Sequence, residues 1–168
     1  MGKATLAYRF ARWVIHQSSI DNEQPILFSG INSKENQHIQ QQLSIPTDSP
    51  TFYQVSNNSH PNLLSIEPGF DEKTNKLRKE ILVNDIRKII PFFGNTAFNN
   101  GLRIVIIDSA DQLNRNSSNA LLKLLEEPPD KCIIILIANN IGKVLPTVRS
   151  RCRELKLKSL NESDFTYI

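Results

Sequence analysis

The sequence predicts an α/β domain with a parallel β-sheet and flanking helices. Two runs carry this prediction: "RIVIID" (103–108) and "CIIILIA" (132–138) are almost continuously apolar and rich in β-branched residues. Such runs are typical of strands buried on both faces of a parallel sheet. A helical apolar pattern lies between them, so strand, helix and strand form one right-handed unit of about 35 residues. An amphipathic helix near the start of the chain agrees with this class.

The first predicted element is that amphipathic helix, over residues 4–17. Residues at steps of three and four define one face of this helix: Leu6, Phe10, Trp13, Val14 and Gln17. The stretch from Asn32 to His60 is rich in Asn, Gln, Ser and Pro, and such a composition buries little apolar surface. We therefore expect an irregular excursion over about 18–60 with little core.

The middle of the chain predicts a strand and a second helix. "NLLSIEP" (62–68) indicates a strand that Pro68 and Gly69 end. A helix is expected from about Asn84, with one apolar face made of Ile86, Ile89, Ile90 and Phe93. Pro91 removes a hydrogen bond from that helix and should kink or end it.

The helix between the two long strands precedes a basic tail. Its apolar face contains Leu113, Ala120, Leu121, Leu124 and Leu125, and Pro128-Pro129 ends it. In the tail, "LPTVRSRCRELKL", Pro146 can start a helical turn with Arg149 and Arg151 near its end. The alternation from Arg153 to Leu157 predicts a further strand.

Composition indicates one soluble domain, because 168 residues with 39% hydrophobic and 22% charged side chains are ordinary for a globular protein. Cys132 and Cys152 form neither a disulfide framework nor a zinc motif, so we expect a reducing cytoplasm. The longest apolar run is only seven residues, and the amino-terminal residues lack a signal-peptide pattern. No membrane association or export is expected.

Positive charge is concentrated in residues 142–158. This basic segment carries a net charge of +5 in a chain whose total is +3, so the remainder is at −2. Its cations are Lys143, Arg149, Arg151, Arg153, Lys156 and Lys158, against Glu154. The excess suggests an anionic partner, although a solvated basic face has the same composition.

Two short motifs suggest nucleotide chemistry. Gly2-Lys3 before a helix is how a phosphate-binding loop ends, but no glycine-rich turn precedes it. Asp108 ends a buried strand, at the sheet edge where α/β proteins bind ligands, and could hold magnesium. The alternative is that Asp108 only caps the following turn.

Acidic and basic residues near two helix ends suggest an interface. Glu126 and Glu127 end the helix between the long strands, where the helix dipole is already negative. We therefore expect an external cationic partner for them, with plain surface solubility as the alternative. Arg149 and Arg151 offer rigid donor forks that suit phosphate.

The combination of "RIVIIDSADQLNRNSSNALLKLLEEPP" and "IIILIANNIGKVLPTVRSRC" strongly resembles the clamp-loader branch of the AAA+ family. "GKATLAYRFAR", "HPNLLSIEP" and "RKEILVNDIRKI" extend the likeness over nearly all of the chain except about 18–58. The resemblance implies a P-loop NTPase (AAA+) core in a ring of five subunits. Such a ring opens the sliding clamp and places it on primed DNA.

The resemblance also implies roles and partners. Arg151, flanked by Ser150 and Cys152 in the "SRC" motif, would reach as an arginine finger into the ATP site of the next subunit. Glu126 and Glu127 would border that neighbour. The implied partners are the gamma/tau ATPase and delta subunits and, through the complex, the sliding clamp and primed DNA, with no membrane.

Against this family pattern the chain's own nucleotide site is degenerate. Ala4 replaces the hydroxyl residue that follows the loop lysine, and Thr5 faces elsewhere on the helix. Ser109 stands where a glutamate would orient the attacking water. Gly2, Lys3, Thr5 and Asp108 are thus remnants. We expect no cofactor or metal on this chain, with ATP and magnesium at neighbouring subunits, and no ATPase or polymerase catalysis of its own.

The family pattern further implies missing parts. Residues 1–158 correspond to the AAA+-like domain and 159–168 to the start of a lid domain, so the first strand, the lid and the collar are expected to be absent. A gene fragment, a frameshift product or a misassigned start would explain this. Alternatives to a non-hydrolysing subunit are an active ATPase subunit, a basic nucleic-acid-binding domain and an inactive fragment.

Overall fold

The computed structural model describes residues 2–20, 43–71, 74–94 and 97–158. Its helices are α1 (Lys3–Ile20), α2 (Pro50–Ser56), α3 (Val83–Arg87), α4 (Ile89–Gly94), α5 (Arg115–Glu126) and α6 (Pro146–Arg149). Its strands are β1 (Leu63–Ile66), β2 (Arg103–Ile107) and β3 (Cys132–Leu136). Short 3-10 turns lie at Phe98–Asn100, Ala110–Gln112 and Ile141–Lys143.

The strands form one parallel sheet in the order β1-β2-β3. β2 is central, and its Ile106 pairs in register with Ser65 of β1 and Ile135 of β3. Parallel strands require crossover connections, which α3 and α4 supply between β1 and β2 and α5 supplies between β2 and β3. The predicted α/β class with a parallel sheet is confirmed.

Alternating side chains of β2 build two cores, one on each face of the sheet. Ile104 and Ile106 lie on the first face, and Val105 and Ile107 lie on the opposite face. The first face is covered by α1 and α2 through Ala7, Ala11, Val14, Ile15 and Val55. The opposite face is covered through Ile86, Ile89, Phe93, Leu121 and Val148. Helices therefore pack on both faces.

Burial on both faces is confirmed for β2 and is partial for β3, whose Ile133 and Ile135 pack against the first core and whose Ile134 packs against the second. Ile104 to Ile107 are 0% exposed, whereas every residue of β3 is only half-buried. β3 is the last strand in the described sheet, so one of its edges has no strand partner there. A continuous apolar run does not distinguish a central strand from an edge strand.

The helix predicted over 4–17 is confirmed as α1, but its predicted face is partly wrong. The buried stripe contains Ala7, Ala11, Val14 and Ile15, while Leu6, Phe10, Trp13 and Gln17 are half-buried. The small alanines allow the helix backbone to approach the sheet closely. The bulky side chains flank this contact instead of forming its centre.

The expected irregular excursion over 18–60 is wrong at both ends. Residues 18–20 belong to α1, and 50–56 form α2, while 21–42 lie outside the described residues. Pro50 occupies the first turn of α2, and the Ser49 hydroxyl accepts from the Phe52 N–H at 3.2 Å. Val55 is 2% exposed against the first core. A polar composition concealed a short capped helix.

Pro91 breaks the second predicted helix, as expected, but one turn before the proline. α3 ends at Arg87 and α4 begins at Ile89, so Pro91 lies inside α4. Proline has no N–H to donate to Arg87, four residues earlier, and its ring clashes with that carbonyl. Ile90 is 61% exposed, so its predicted place on the buried face is wrong.

The strand expected from Arg153 to Leu157 is not formed. These residues have no regular secondary structure, and Leu155 is 76% exposed. Sequence alternation defines a potential face, but a strand also needs a pairing partner, which no described strand provides here.

In the described ranges, none of the helices is both long and apolar enough to span a bilayer.

Candidate functional site

The start of α1 keeps the backbone geometry that the glycine-lysine motif suggested. Gly2 has a φ of +91°, a conformation that L side chains rarely adopt, and α1 begins at the next residue. Lys3 Nζ donates to Asn139 Oδ1 at 3.1 Å. Asn139 follows β3, so the lysine reaches the carboxyl edge of the sheet, where α/β proteins bind ligands.

Asp108 and Ser109 follow β2 at the same edge. The Asp108 N–H donates to the Ile66 carbonyl at 2.9 Å, which continues the pairing with β1. Ser109 has a φ of +64°, a left-handed conformation uncommon for serine. Two residues later, Asp111 Oδ1 accepts the Asn139 N–H at 3.1 Å. The turn after β2 thus fixes the loop that contacts Lys3.

The residues beside Lys3 cannot restore a metal-binding hydroxyl. Ala4 packs against the core of the first sheet face, while Thr5 is exposed on another side of α1. Among the described residues, Lys3 forms no ion pair with Asp108, and no group of three His, Cys, Asp or Glu could hold a metal ion. Lys3 is paired with an amide, and Ser109 has no carboxylate.

The "SRC" motif lies directly after α6, which a buried residue anchors. Val148 is 0% exposed in the second core, and Cys152 packs half-buried against the same core. Burial raises the pKa of the Cys152 thiol, which keeps it uncharged. Backbone N–H groups of Arg151 and Cys152 donate to Val148 and Arg149 at 3.1 Å each. The backbone that carries Arg151 is therefore well fixed.

The Arg151 side chain forms an ion pair with Glu126 of the same chain. Arg151 Nε donates to Glu126 Oε1 at 2.8 Å, and Nη2 lies 2.6 Å from the same oxygen. Nη1 donates to the Thr147 carbonyl at 2.9 Å and contacts Ser150 Oγ at 3.4 Å. The Arg151 side chain is 35% exposed and that of Glu126 49% exposed, so both are accessible to a partner.

This ion pair corrects the expectation that Glu126 needs an external cation. Arg151 supplies the positive charge at the carboxyl end of α5, where the helix dipole favours a cation. Glu127 caps α5 and is exposed, and no ion pair joins it to another described residue. The two glutamates thus differ in structure, although they are adjacent in sequence.

Sequence reasoning singled out Lys3, Arg151 and Glu126 but missed the contacts that these residues make. Asn139 was not assigned a role, although its position just after a predicted strand places it at the ligand-binding edge. The Glu126–Arg151 contact joins residues 25 positions apart. Only the packing of α6 against the end of α5 brings these residues together.

Three features define the P-loop NTPase class with an AAA+ core. They are a parallel sheet flanked by helices, a helix that starts at glycine-lysine beside the carboxyl edge of the sheet, and an aspartate after the central strand. Within this class, the motifs predict a likeness to the delta-prime subunit of bacterial DNA polymerase III, in the form without a zinc module. A family model described as "DNA polymerase III, delta subunit" matches residues 1–161, and the chain belongs to this family.

Individual relatives agree with this membership. DNA polymerase III subunit delta' of Pseudomonas aeruginosa is 35% identical over 94 residues, which are 56% of this chain and 27% of that protein. DNA polymerase III subunit gamma of Buchnera aphidicola subsp. Schizaphis graminum is 40% identical over 82 residues, 49% of this chain and 23% of that protein. The matched regions thus span about a quarter of these relatives.

A solved structure supports the fold. A DNA polymerase III gamma subunit-related protein from Thermotoga maritima superposes with a TM-score of 0.53 and 22% identity, covering 75% of this chain and 39% of that chain. Delta-prime and gamma proteins both occur among the relatives, so the predicted membership of the clamp-loader subunits is confirmed.

Proposed function

We propose that this chain is a clamp-loader subunit that does not hydrolyse ATP and that supplies Arg151 to the ATP site of a neighbouring subunit. The observation that carries the proposal is the placement of Arg151: its backbone is fixed beside buried Val148, while its guanidinium is partly exposed. A fixed cation of this kind can stabilise the charge that develops on a transferring phosphate.

The degenerate site at Gly2 and Lys3 supports the non-hydrolysing part of the proposal. Lys3 is hydrogen-bonded to Asn139, Ala4 faces the core, and Ser109 has no carboxylate with which to orient water. ATP and magnesium are accordingly assigned to neighbouring subunits of the gamma/tau type. The further proposed partners are delta and, through the assembled complex, the sliding clamp and primed DNA, in the cytoplasm.

The test is a pair of arginine variants in the loader assembled with the full chain. Arg151→Ala should slow ATP hydrolysis at the neighbouring site by roughly 10³- to 10⁵-fold, the general range for arginine fingers, and should slow clamp loading with it. Arg149→Ala is the matched control, because Arg149 is exposed in the same short segment and carries the same charge. Equal rates for the Arg151→Ala and wild-type loaders would refute the assignment.

A second candidate function is direct DNA binding by the basic segment. All six of its cations are exposed, and no aromatic residue lies between 142 and 158 to stack on bases. Binding of primed DNA by the isolated full chain would have to weaken steeply with salt, because phosphate contacts release counterions. Salt-insensitive or undetectable binding would exclude this candidate.

A further inference from the structure

The guanidinium of Arg151 is oriented by its own chain on two sides. Nε and Nη2 share Glu126 Oε1 on one side, and Nη1 donates to the Thr147 carbonyl on the other. A guanidinium has five N–H donors. Hydrogen bonds engage three of them: Nε donates to Glu126 Oε1, and Nη1 donates to the Thr147 carbonyl and, at 3.4 Å, to Ser150 Oγ. Nη2 pairs with Glu126 Oε1 through charge and still has an N–H donor available for a phosphate.

Both contacts come from rigid elements that share one core. Glu126 ends α5, whose Leu121 is 0% exposed, and Thr147 lies in α6 beside Val148, which is also 0% exposed. An arginine without such contacts would lose rotamer freedom when it orders against a ligand. Here the ordering is largely complete before any partner arrives, which is the physical basis of preorganisation.

We propose that Glu126 is a positioning residue for Arg151: the Glu126 carboxylate fixes the guanidinium so that Nη2 of Arg151 faces a phosphate of the neighbouring subunit. This inference rests on the proposed function of Arg151. It assigns different roles to the adjacent glutamates, because Glu126 contacts the guanidinium and Glu127 has no ion pair among the described residues. Glu126 acts through Arg151 and does not touch the nucleotide.

The expected effect is modest. Ion pairs that are partly exposed contribute little free energy. Loss of the Glu126 carboxylate should therefore lower the rate constant for ATP hydrolysis at the neighbouring site about two- to fivefold. The Michaelis constant for ATP should not change, because nucleotide binding takes place on the neighbouring subunit. If Glu126 only supported the interface structurally, its loss would instead weaken assembly of the loader.

The kinetic test uses the loader assembled with the full chain and compares Glu126→Ala with Asp130→Ala, which removes an exposed carboxylate that has no role at the proposed interface. We expect the loss with Glu126→Ala alone, and no further loss when Glu126→Ala is added to Arg151→Ala, because the carboxylate then has no guanidinium to orient. An additive loss in the double variant, an unchanged rate, or a faster rate with Glu126→Ala would each overturn the inference. A faster rate would mean that Glu126 masks the arginine.

A second measurement separates failure of this inference from failure of the proposed function. Hydrogen exchange at Arg151 Nε–H, followed by NMR on the full chain alone, should accelerate in Glu126→Ala and not in Glu127→Ala. An unchanged exchange rate in Glu126→Ala would show that Glu126 does not hold the Arg151 side chain, and the inference would be refuted. A normal rate with Arg151→Ala in the assembled loader would instead refute the proposed function, whatever the exchange result.

Discussion

At the scale of single residues, Arg151 and Asp85 each have a partner of opposite charge within the chain. Arg151 meets Glu126, and buried Asp85 meets both Arg78 and Lys88. The sequence could identify Arg151 through a resemblance and Lys3 through a motif. It could not supply their partners, because those contacts depend on side-chain placement across separate elements. No pattern in the sequence predicted that Asp85 would be buried.

Asp85 should make stability depend on acid pH. Burial alone would raise its pKa, but hydrogen bonds from Lys88 Nζ and the Leu82 N–H, with the charges of Arg78 and Lys88, lower the pKa below the ordinary 3.8. A lowered folded-state pKa contributes stability above pH 3.8, and that contribution is lost as pH falls through the folded value. Wild-type unfolding free energy should therefore fall in this acid range.

Asp85→Asn tests this contribution by denaturant unfolding at several pH values. The variant should be less stable than wild type by about 1–3 kcal/mol near neutral pH, because Arg78, Lys88 and the Leu82 N–H lose a charged acceptor. The difference should shrink below pH 3.8. Asp130→Asn is the control, since Asp130 is exposed. A difference that stays constant with pH would contradict the role given to the Asp85 charge.

At the scale of elements, periodicity predicted where helices and strands lie better than which side they bury. α1, β1, β2, β3 and α5 all follow from apolar patterns in the sequence. The buried stripe of α1 did not, because the closest contact with a sheet favours small residues such as Ala7 and Ala11 over larger ones. The break before Ile89 follows from Pro91 through an ordinary backbone rule.

Ala11→Leu tests which stripe of α1 faces the sheet. Ala11 is 0% exposed, so three extra carbons should overpack the first core and destabilise the protein by about 1–3 kcal/mol. Thr5→Leu introduces the same side chain at an exposed position of α1 and should change stability by less than about 0.5 kcal/mol. Thermal unfolding of both variants provides the comparison. Equal effects would contradict the observed orientation of α1.

At the scale of the whole molecule, the fold was predictable and the position of each strand in it was not. Near-continuous apolar runs at 103–108 and 132–138 predicted a parallel sheet, and the sheet is present. The same pattern could not show that β3 borders an unpaired edge of the described sheet, because strand order is a property of the assembled domain. The exposed side chains of Leu155 and Leu157 show the same limit: alternation alone does not create a pairing partner.

The most direct test of the central claim compares Lys3→Ala with Arg151→Ala in ATP hydrolysis by the loader assembled with the full chain. The claim is that this chain acts on ATP bound by a neighbour and has no working site of its own. Lys3→Ala should therefore leave the rate unchanged, while Arg151→Ala should reduce hydrolysis at the neighbouring site by roughly 10³-fold or more. Loss of hydrolysis with Lys3→Ala and a wild-type rate with Arg151→Ala would contradict the claim.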